Sequence, residues 1–377
     1  MLAGLMLAAW AYLLLLHGTF WQSGPELRPM LPANAPPVAV IVPARDEAET
    51  IAASTASLLA QDYPGTIAVV LVDDASTDGT ADIAGRLPGL TIVQGSPRPA
   101  GWAGKLWALS QGIVFALSPR AGPGDRADPE FILLTDADIT HDPRHIATLV
   151  AHADRHGLDM VSEMVALNCV SLAERALIPA FVYFFQMLYP FARVNDPLSA
   201  VAGAAGGTIL IRRRALDRIG GIAAIQGALI DDCALAAKVK AGGRIWLGHS
   251  GLARSIRPYP HFADIWRMIA RSAYVQLRLS PVRLLLSTLG LALIFLLPPW
   301  LALSTTGYPQ IAGALAWAGM AASFLPTLAR YRQPFWWAPL LPAIALFYMA
   351  ATIGSAIDHH RGRGVVWKNR SYERPGA

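Results

Sequence analysis

The stretch at residues 67–80, IAVVLVDDASTDGT, decides the fold of this chain. Its first six residues form a short, continuous apolar run, which is typical of a β-strand buried on both faces. The run ends abruptly in aspartate, serine, threonine and glycine, and a helical pattern follows. Residues 38–47, VAVIVPARDE, repeat the arrangement of a buried strand followed by polar residues and then a helix. Two strands of this kind predict a sheet whose strands run in parallel.

Two further apolar runs extend the pattern, LTIV at residues 90–93 and FILL at residues 131–134. Strand and helix patterns alternate through this part of the chain. Alternation of this kind predicts an α/β fold, a mixed and mostly parallel sheet with helices on both faces. A Gly/Pro-rich stretch at 118–129 is expected to be a surface loop.

The ends of the chain have a different composition from the middle. No charged residue occurs in 1–25, 284–329 or 333–357. A membrane-spanning helix needs about 20 mostly apolar residues. We therefore expect an N-terminal transmembrane helix at 1–25 and a C-terminal transmembrane region of two to three segments at 284–357, followed by a basic tail at 358–377. A cleaved signal sequence is the alternative for the first segment.

The direction of insertion is predicted from the basic residues. Arg28 follows the first apolar segment, so the positive-inside rule places the next domain in the cytoplasm. Three C-terminal spans would put the tail outside, although it contains Arg361, Arg363, Lys368, Arg370 and Arg374. Pro298 and Pro299 suggest that one segment is re-entrant, and the number of spans stays open.

The remaining bulk properties exclude several classes of protein. The net charge of +5 comes from basic residues that flank apolar runs, which favours contact with a membrane surface over binding of nucleic acid. Cys169 and Cys233 are the only cysteines, so no disulfide framework is expected and a reducing compartment fits. A transporter is not favoured, because the apolar runs contain no Asp, Glu, Lys or Arg of the kind that marks an ion path.

Residues 261–283 are predicted to form an amphipathic helix. Phe262, Trp266 and Ile269 recur at helical spacing, whereas Arg267 and Arg271 lie on another face. Such a helix either lies in the membrane interface or packs on the globular domain with solvated arginines. Its place just before the apolar runs favours the interface.

Polar clusters follow three of the predicted strands, and ligands of open α/β sheets bind at the carboxyl ends of strands. The clusters are residues 45–47 (RDE), 73–74 (DD) and 136–138 (DAD). Any single cluster could serve only to cap a helix, and capping is the strongest alternative for Asp78, which follows the second cluster. Three clusters at three strand ends indicate one shared crevice. The spacing of Asp136 and Asp138 suits a divalent cation shared with diphosphate oxygens, either Mg²⁺ or Mn²⁺.

At this point the motifs resemble those of the family 2 glycosyltransferases of the GT-A fold. They occur in the order PARDE (43–47), VDDASTDGT (72–80), GKLWALSQG (104–112), TDAD (135–138), GGTILIRRRALDRIGG (206–221) and IDD (230–232). The resemblance covers about residues 37–250 and implies a GT-A catalytic domain at 37–260.

The resemblance also implies roles for particular residues in an inverting, metal-dependent transfer of a sugar. Asp232 is the expected general base with Asp231 beside it, and Asp136 and Asp138 are the expected metal ligands. The expected donor-binding residues are Pro43, Arg45, Asp46, Glu47, Asp73, Asp74, Lys105 and Asp136. On the acceptor and membrane side, Gly206, Gly207, Gln276 and Arg278 are expected. Asp231 and Asp232 could also serve simply as favourable acids at a helix N-terminus.

One departure from the family pattern narrows the range of possible acceptors. Processive members carry Q-x-x-R-W, whereas this chain has QLRLS at 276–280, which argues against a polysaccharide synthase. QLRLSP (276–281) and GRGVVWKNRSY (362–372) resemble the hopanoid-biosynthesis-associated (HpnB-type) branch. This implies a bacterial inner-membrane enzyme that takes a sugar from a nucleotide-sugar, a UDP-sugar by family habit, to a hopanoid-related lipid.

Three alternatives remain open from the sequence. The acceptor could be polyprenyl phosphate or a sphingolipid- or carotenoid-like alcohol, used with the same catalytic residues. The chain could be an inactive membrane scaffold that keeps the fold, although the intact Asp136, Asp138 and Asp232 argue against this. A nucleotidyltransferase would normally carry a Gly-rich basic loop after the first strand, where this chain has PARDE.

Overall fold

The computed structural model describes residues 1–118, 128–361, 366–367 and 370–371. Residues 119–127 of the predicted surface loop therefore lie outside the described residues. The same holds for residues 362–365, 368–369 and 372–377 of the predicted basic tail.

The described part of the chain contains one large sheet. Its strands are β1 (Val38–Ala44), β2 (Ile67–Asp73), β3 (Leu90–Gln94), β4 (Phe131–Thr135), β5 (Ile139–His141), β6 (Met160–Ala166), β7 (Thr208–Arg212) and β8 (Ile245–Ser255). The strand order is β3-β2-β1-β4-β7-β6-β8-β5. Neighbours are parallel except for the β4–β7, β6–β7 and β5–β8 pairs. Two further strands, β9 (Val366–Trp367) and β10 (Arg370–Ser371), pair with each other. The mixed, mostly parallel sheet predicted from the sequence is confirmed.

Helices connect the strands and form the C-terminal region. They are α1 (Leu2–Leu15), α2 (Ile51–Leu59), α3 (Thr80–Ala84), α4 (Gly104–Leu117), α5 (His145–His156), α6 (Leu172–Leu188), α7 (Phe191–Asn195), α8 (Arg213–Arg218), α9 (Asp231–Lys240), α10 (Phe262–Ala270), α11 (Ala273–Gln276), α12 (Pro281–Leu291), α13 (Leu297–Ser304), α14 (Tyr308–Arg330) and α15 (Leu341–His360). A π-helical turn, Ala292–Leu296, joins α12 to α13, and a 3₁₀ helix, Phe335–Leu340, precedes α15.

The residues fall into two compact units. The sheet unit contains residues 25–167 and 194–257, and the helical unit contains residues 1–24, 168–193 and 258–361. The domain boundaries expected from the sequence stay predictions.

The core of the sheet unit explains why the polar clusters converge. All residues of β1 are buried, as expected for a central strand with helices on both faces. Its parallel pairing with β2 runs from Val38 opposite Ile67 to Ala44 opposite Asp73. The two strands therefore end level with each other, and the residues that follow them emerge side by side.

Three helices among the described residues are long and apolar enough to cross a membrane. They are the continuous helix Pro281–Ser304, formed by α12, the π-helical turn and α13, together with Tyr308–Arg330 and Phe335–His360, which have 24, 23 and 26 residues. This agrees with the predicted C-terminal region. The π-helical turn lies just before Pro298 and Pro299, which lack a backbone N–H and cannot donate the usual helical hydrogen bond. The change of hydrogen-bonding pattern in this turn accommodates the two prolines, and the helix continues through them.

The N-terminal segment is shorter than expected. Helix α1 has 14 residues, or about 21 Å at 1.5 Å per residue, and a bilayer core is about 30 Å thick. Gly18, Thr19 and Ser23 adopt left-handed backbone conformations that end the helical path. The prediction of transmembrane helices at both ends is therefore slightly overstated for the N-terminal end, where the apolar run is longer than the helix it forms.

The amphipathic stretch 261–283 is also interrupted. It forms α10 and α11, and then a turn in which Arg278 and Leu279 both have φ of 53°. Pro281 disfavours helical geometry at the residue before it, and Ser280 caps α12 by accepting a hydrogen bond from the Arg283 N–H at 3.4 Å. Within the helical unit, Trp266 of α10 packs edge-on against Phe347 of α15, with ring centroids 5.5 Å apart.

Candidate active site

One crevice of the sheet unit collects polar groups from four places in the chain, three of which supply charged side chains. Its polar lining comes from the start of α4, the end of β4, the segment before β7 and the start of α9. The polar residues are Lys105, Thr135, Asp136, Gly206, Asp231 and Asp232, above an apolar floor of Leu106, Leu109, Leu134, Ile209, Ile222, Ile225 and Leu235. An apolar floor under a few convergent charges is the general form of a small-molecule site.

Lys105 is the cation at the centre of this crevice. Its Nζ lies 2.8 Å from Asp136 Oδ1 and 3.3 Å from Asp231 Oδ2. Burial works to lower the pKa of Lys105, but Asp136 and Asp231 outweigh it and hold the pKa above its usual range. The lysine is therefore charged, and it joins the end of β4 to the start of α9.

Asp232 is a carboxyl group in the crevice whose proton affinity suits acid–base work. Burial, followed by the charge of Asp231, raises its pKa to about 6, against the opposing effect of Lys105. Its Oδ1 accepts a hydrogen bond from the Cys233 N–H at 2.7 Å. Asp231 and Asp232 are also the first-turn acids of α9, so the helix-terminus interpretation holds together with the site.

Gly206 allows the two charges to approach the chain closely. A Cβ placed at this position would lie 3.3 Å from both Asp232 Oδ2 and Lys105 Nζ. The backbone of Gly206 also donates a hydrogen bond to Asp232. Gly207 faces the other way, where a Cβ would lie 2.9 Å from Cγ2 of Val165. The absence of a side chain at each glycine therefore lets the backbone pack closely against neighbouring side chains that a Cβ would push away.

Asp136 and Asp138 lie on the three-residue segment between β4 and β5. Burial and the charge of Asp138 raise the pKa of Asp136, against the effect of Lys105. Asp138 Oδ2 accepts hydrogen bonds from Ser255 Oγ at 3.1 Å and from Arg257 Nε at 2.9 Å. Each of the two carboxylates is thus paired with a different cation of the sheet unit.

Arg257 is a site residue that the sequence did not reveal. Its Nη2 lies 2.6 Å from both carboxylate oxygens of Glu47, while its Nε bonds Asp138. It therefore connects the end of β1 to the end of β4. Arg257 and Ser255 belong to no motif and follow from the antiparallel pairing of β5 with β8, so the only possible signal was the position of two polar residues at the end of a strand.

The residues predicted to bind the donor surround the ends of β1 and β2. Arg45 donates to the backbone oxygen of Asp74, and its Nη1 lies 3.9 Å from Asp74 Oδ2. Asp46 has a φ of 50° and accepts the Thr77 N–H at 2.8 Å. Pro43 lies within β1, next to the site.

Asp73 has a carboxylate oxygen that is left without a partner. Its side chain is 3% exposed, and its Oδ2 accepts the Ser76 N–H at 3.4 Å. Its Oδ1 has no hydrogen-bond partner among the described residues. A buried hydrogen-bond acceptor without a partner destabilises the folded protein unless a bound ligand supplies a donor.

Asp78 holds the turn that follows β2. It accepts hydrogen bonds from the N–H groups of Thr80 at 3.0 Å and Ala48 at 2.9 Å. The N-cap of α3 is Gly79 rather than Asp78, and the Asp78 carboxylate joins the turn after β2 to the segment after β1.

The remaining predicted residues, Gln276 and Arg278, belong to the helical unit and are not part of the crevice lining. Gln276 Nε2 donates to Tyr189 Oη at 2.6 Å. Arg278 is exposed in the turn before α12.

The side chains at this site supply only some of the ligands that a hard cation needs. No group of three or more His, Cys, Asp or Glu side chains in the described ranges is arranged to hold a metal ion. Asp136 and Asp138 supply two carboxylates, and the charge of one raises the pKa of the other. One or two carboxylates completed by substrate phosphates are the usual environment of Mg²⁺ in proteins. The residues therefore fit a cation that binds together with a diphosphate.

Comparison with known proteins agrees with the fold. Residues 39–220 match the model of glycosyl transferase family 2, and residues 131–350, more than half of the chain, match that of glycosyl transferase family group 2. The chain therefore belongs to the family 2 glycosyltransferases. No curated protein matches it.

Solved structures are similar to this chain at low sequence identity. The mannosyltransferase PcManGT from Pyrobaculum calidifontis, solved in complex with GDP-Man and Mn²⁺, is 22% identical, with 95% of this chain and 99% of that chain covered and a TM-score of 0.56. TarS 1–349 from S. aureus, in complex with UDP-GlcNAc, is 16% identical, with 86% and 92% covered and a TM-score of 0.40. The likeness to PcManGT supports the GT-A fold predicted from the sequence.

Proposed function

We propose that this chain is an inverting, metal-dependent glycosyltransferase that moves a sugar from a nucleotide-sugar to a lipid acceptor. One observation carries the proposal. Lys105 is paired with both Asp136 and Asp231, and Asp232 lies beside them in the same crevice at the carboxyl ends of the strands. A fixed cation and a carboxyl group of raised pKa are the two groups that transfer from a diphosphate to a hydroxyl needs.

The donor nucleotide would bind at the ends of β1 and β2. The unpartnered Asp73 Oδ1 is a ready acceptor for an N–H of the base. Arg45, Asp46, Glu47 and Asp74 would complete this side of the site, with Pro43 at the edge of the strand. We propose a UDP-sugar as the donor, which rests on the family resemblance; the similar PcManGT binds GDP-Man, so both nucleotides belong in the test.

The transfer would be a single displacement with Asp232 as the base. The acceptor oxygen attacks the anomeric carbon, its proton passes to the Asp232 carboxylate, and the bond from that carbon to the diphosphate oxygen breaks with its electron pair. A pKa of about 6 leaves Asp232 mostly ionised at neutral pH while keeping its affinity for a proton near the working pH. Asp231 is engaged by Lys105 at 3.3 Å, which favours Asp232 for this role.

Charge on the leaving diphosphate would be stabilised by groups already in place. Lys105 Nζ, held by two carboxylates, is a preorganised positive charge on this side of the crevice. Asp136 and Asp138 would hold Mg²⁺ or Mn²⁺ against the phosphates. When bound, the ion would neutralise negative charge that develops on the leaving group.

The acceptor side rests on the helical unit and the sequence. Three helices long enough to cross a membrane favour a lipid acceptor and a multi-pass protein of the bacterial inner membrane. The position of Arg28 favours a catalytic unit in the cytoplasm. Gln276 and Arg278 would lie on the acceptor side. By resemblance of residues 276–281 we propose a hopanoid-related lipid, with polyprenyl phosphate and other lipid alcohols as the competing acceptors.

Donor binding by the detergent-solubilised protein is the experiment that tests the transferase site. UDP-, GDP- and dTDP-sugars are screened by thermal shift with and without Mn²⁺, because a ligand of the folded state raises apparent stability by mass action. We expect stabilisation by one nucleotide class that depends on Mn²⁺ and is lost in Asp138→Ala. Asp217→Ala is the matched control, since Asp217 is 59% exposed on α8. No shift with any donor would favour the inactive scaffold.

The acceptor is then identified with the donor in hand. The labelled sugar is offered with a hydroxylated hopanoid, with polyprenyl phosphate and with a carotenoid alcohol in separate reactions. Label in the hopanoid product is the expected result. Label in another lipid alone would keep the transferase and replace the acceptor.

A further inference from the structure

A chain of buried polar groups lies behind the crevice and takes no part in the transfer described above. Glu163 Oε2 lies 2.6 Å from His145 Nε2, and His145 Nδ1 lies 2.8 Å from His141 Nδ1. His141 Nε2 in turn lies 3.1 Å from Thr135 Oγ1, which donates to the backbone oxygen of Gly207 at 2.9 Å. Thr135, His141, His145 and Glu163 are all at most 5% exposed. These hydrogen bonds offset the cost of removing the groups from water, although Glu163 Oε1 has no hydrogen-bond partner among the described residues.

The hydrogen bonds of this chain run in one direction. Thr135 has a single hydroxyl proton and gives it to Gly207, so its oxygen accepts from His141 Nε2. Burial and the neighbouring His145 lower the pKa of His141 well below its usual value, so His141 is neutral and its Nδ1 is an acceptor. His145 therefore donates from Nδ1, and its Nε2 lies 2.6 Å from Glu163 Oε2.

The far end of the chain reaches the backbone of the crevice. The Gly207 oxygen that accepts from Thr135 also accepts the N–H of Asp136 at 3.3 Å. Gly206, the preceding residue, lies against Asp232 and Lys105. One carbonyl oxygen thus joins the backbone of a predicted metal ligand to the turn that faces the predicted base.

The same turn is held by a second buried hydroxyl. Ser162 Oγ donates to the Ala205 oxygen at 3.1 Å and accepts the Ala205 N–H at 2.9 Å. Residues 205–207 are therefore bonded to side chains of two strands, β4 and β6, with Val165 packed against Gly207. The position of the turn is set by the sheet behind it.

We propose that Thr135 is a positioning residue, whose hydroxyl holds the Gly206–Gly207 turn against Asp136 and so fixes the spacing of the Asp136 and Asp232 carboxylates. The chain from Glu163 through His145 and His141 keeps that hydroxyl pointing at Gly207. The effect on catalysis rests on the proposed function, whereas the effect on the turn does not.

The first test measures the turn itself by amide hydrogen exchange of the full-length protein. Thr135→Val keeps the branched shape of the strand residue and removes the hydroxyl. We expect exchange at Asp136 and at residues 205–208 to accelerate about tenfold, as for loss of one buried hydrogen bond. Thr135→Ser should restore slow exchange. In Thr55→Val, which removes a hydroxyl bonded to its own helix at Ile51, these amides should not change.

The imidazole chain is tested with the same measurement in His141→Phe, which removes the donor to Thr135. We expect faster exchange at the same amides, to about threefold, because the hydroxyl keeps its acceptor but loses its orientation. Unchanged exchange in Thr135→Val would overturn the proposal. Unchanged exchange in folded His141→Phe would overturn the part assigned to the histidines.

The second test measures turnover of the donor that the thermal-shift screen selects, as release of nucleoside diphosphate in the presence of Mn²⁺. In Thr135→Val we expect kcat to fall about tenfold and the donor KM to rise by less, about twofold to threefold, since Asp136 also contributes to donor binding while the nucleotide end of the site is intact. Thr135→Ser should recover most of the kcat. Normal kcat in Thr135→Val would overturn the catalytic part. If the wild-type protein releases no nucleotide, the proposed function fails and the exchange result still decides whether Thr135 positions the turn.

Discussion

Arg257 binds Asp138 and Glu47 at the same time, with its Nε 2.9 Å from Asp138 Oδ2 and its Nη2 2.6 Å from both oxygens of Glu47. The two carboxylate side chains are only 13% and 10% exposed. A single guanidinium, with its planar fork of donors, thus pairs with two mostly buried carboxylates that come from distant parts of the sheet.

Replacing Arg257 by methionine should therefore destabilise the sheet unit. Both carboxylates lose their cation, and we expect the free energy of unfolding to fall by about 1–3 kcal/mol. The loss should be largely recovered by Mn²⁺, because a cation can then occupy the site between Asp138 and Asp136. Thermal unfolding with and without Mn²⁺ measures both effects.

The control for Arg257 is Arg214→Ala, since Arg214 is 71% exposed and its ion pair with Asp159 spans 3.7 Å. Exposed pairs contribute little, so its unfolding should not change. Equal responses of Arg257→Met and the wild-type protein to Mn²⁺ would speak against a cation site at Asp138.

Asp232→Asn should separate binding from chemistry. The amide keeps the shape of the side chain but cannot take the proton of the acceptor, and loss of a general base typically costs about 10²–10⁴ in rate. We expect donor-induced thermal stabilisation to be retained while transfer falls by at least about 10². Near-normal turnover would exclude Asp232 as the base. Asp217→Asn, an exposed acid on α8, is the control.

The pH dependence of kcat/KM should report the same group. Asp232 acts as a base only when ionised, and its pKa is raised to about 6. Activity should therefore be full above about pH 7 and fall as the pH drops through 6. In Asp231→Asn the acidic limb of the pH profile, where activity falls, should move to lower pH. The charge of Asp231 raises the pKa of Asp232, and without that charge the effect of Lys105, which lowers the same pKa, is no longer opposed by Asp231. A limb that stays in place or moves upward would contradict this assignment.

The two neighbouring glycines should respond differently to alanine. In Gly206→Ala the new Cβ lies 3.3 Å from Asp232 Oδ2 and Lys105 Nζ, so turnover should fall while stability changes little. In Gly207→Ala it lies 2.9 Å from Val165 Cγ2, and overpacking of this kind costs about 1–3 kcal/mol. Unfolding and donor turnover of both variants, measured side by side, make the comparison. The opposite pattern would mean that Gly206 is structural.

The helix Pro281–Ser304 should reveal its environment through Leu289, which is 58% exposed near its middle. An arginine at the centre of a spanning helix costs about 2.5–3.5 kcal/mol on insertion scales. We expect Leu289→Arg to lower the fraction of protein that resists alkaline extraction from membranes, and Leu289→Phe to have no effect. Equal extraction of both variants would argue that this helix does not span.

The strands of the sheet and the polar residues at their ends could be predicted because each strand corresponds to a local pattern of consecutive residues. The apolar run at 38–42 corresponds to β1, Val38–Ala44, and the run at 67–72 to β2, Ile67–Asp73. A strand buried on both faces must be apolar at every position, and its end is marked where the polar residues begin. Asp73 and Asp136 were predicted for the same reason, whereas Lys105 at the start of α4 was predicted only from the family resemblance of residues 104–112.

Other features could not be predicted because they depend on pairing across the sequence or on the backbone path. Arg257 reaches Asp138 across 119 positions, and no local pattern marks that distance. His141 ends β5 and His145 begins α5, and neither stands out in the sequence until Glu163, 18 positions after His145, is seen beside His145. At the N-terminus the apolar composition overestimated the helix, since composition measures hydrophobicity and does not indicate where a glycine turns the chain.

The pairing of β5 with β8 has a consequence for how this protein is made. Asp138 receives the hydroxyl of Ser255 from 117 positions later in the chain, and β5 pairs with β8 at the edge of the sheet. Closing so distant a contact is slow, and domains form in the order in which their sequence leaves the ribosome. The nascent chain must therefore be translated beyond Arg257 before the predicted metal ligands are held in place. Helix α12 begins only at Pro281, so the sequence of the sheet unit up to Arg257 is complete before the first candidate span is synthesised.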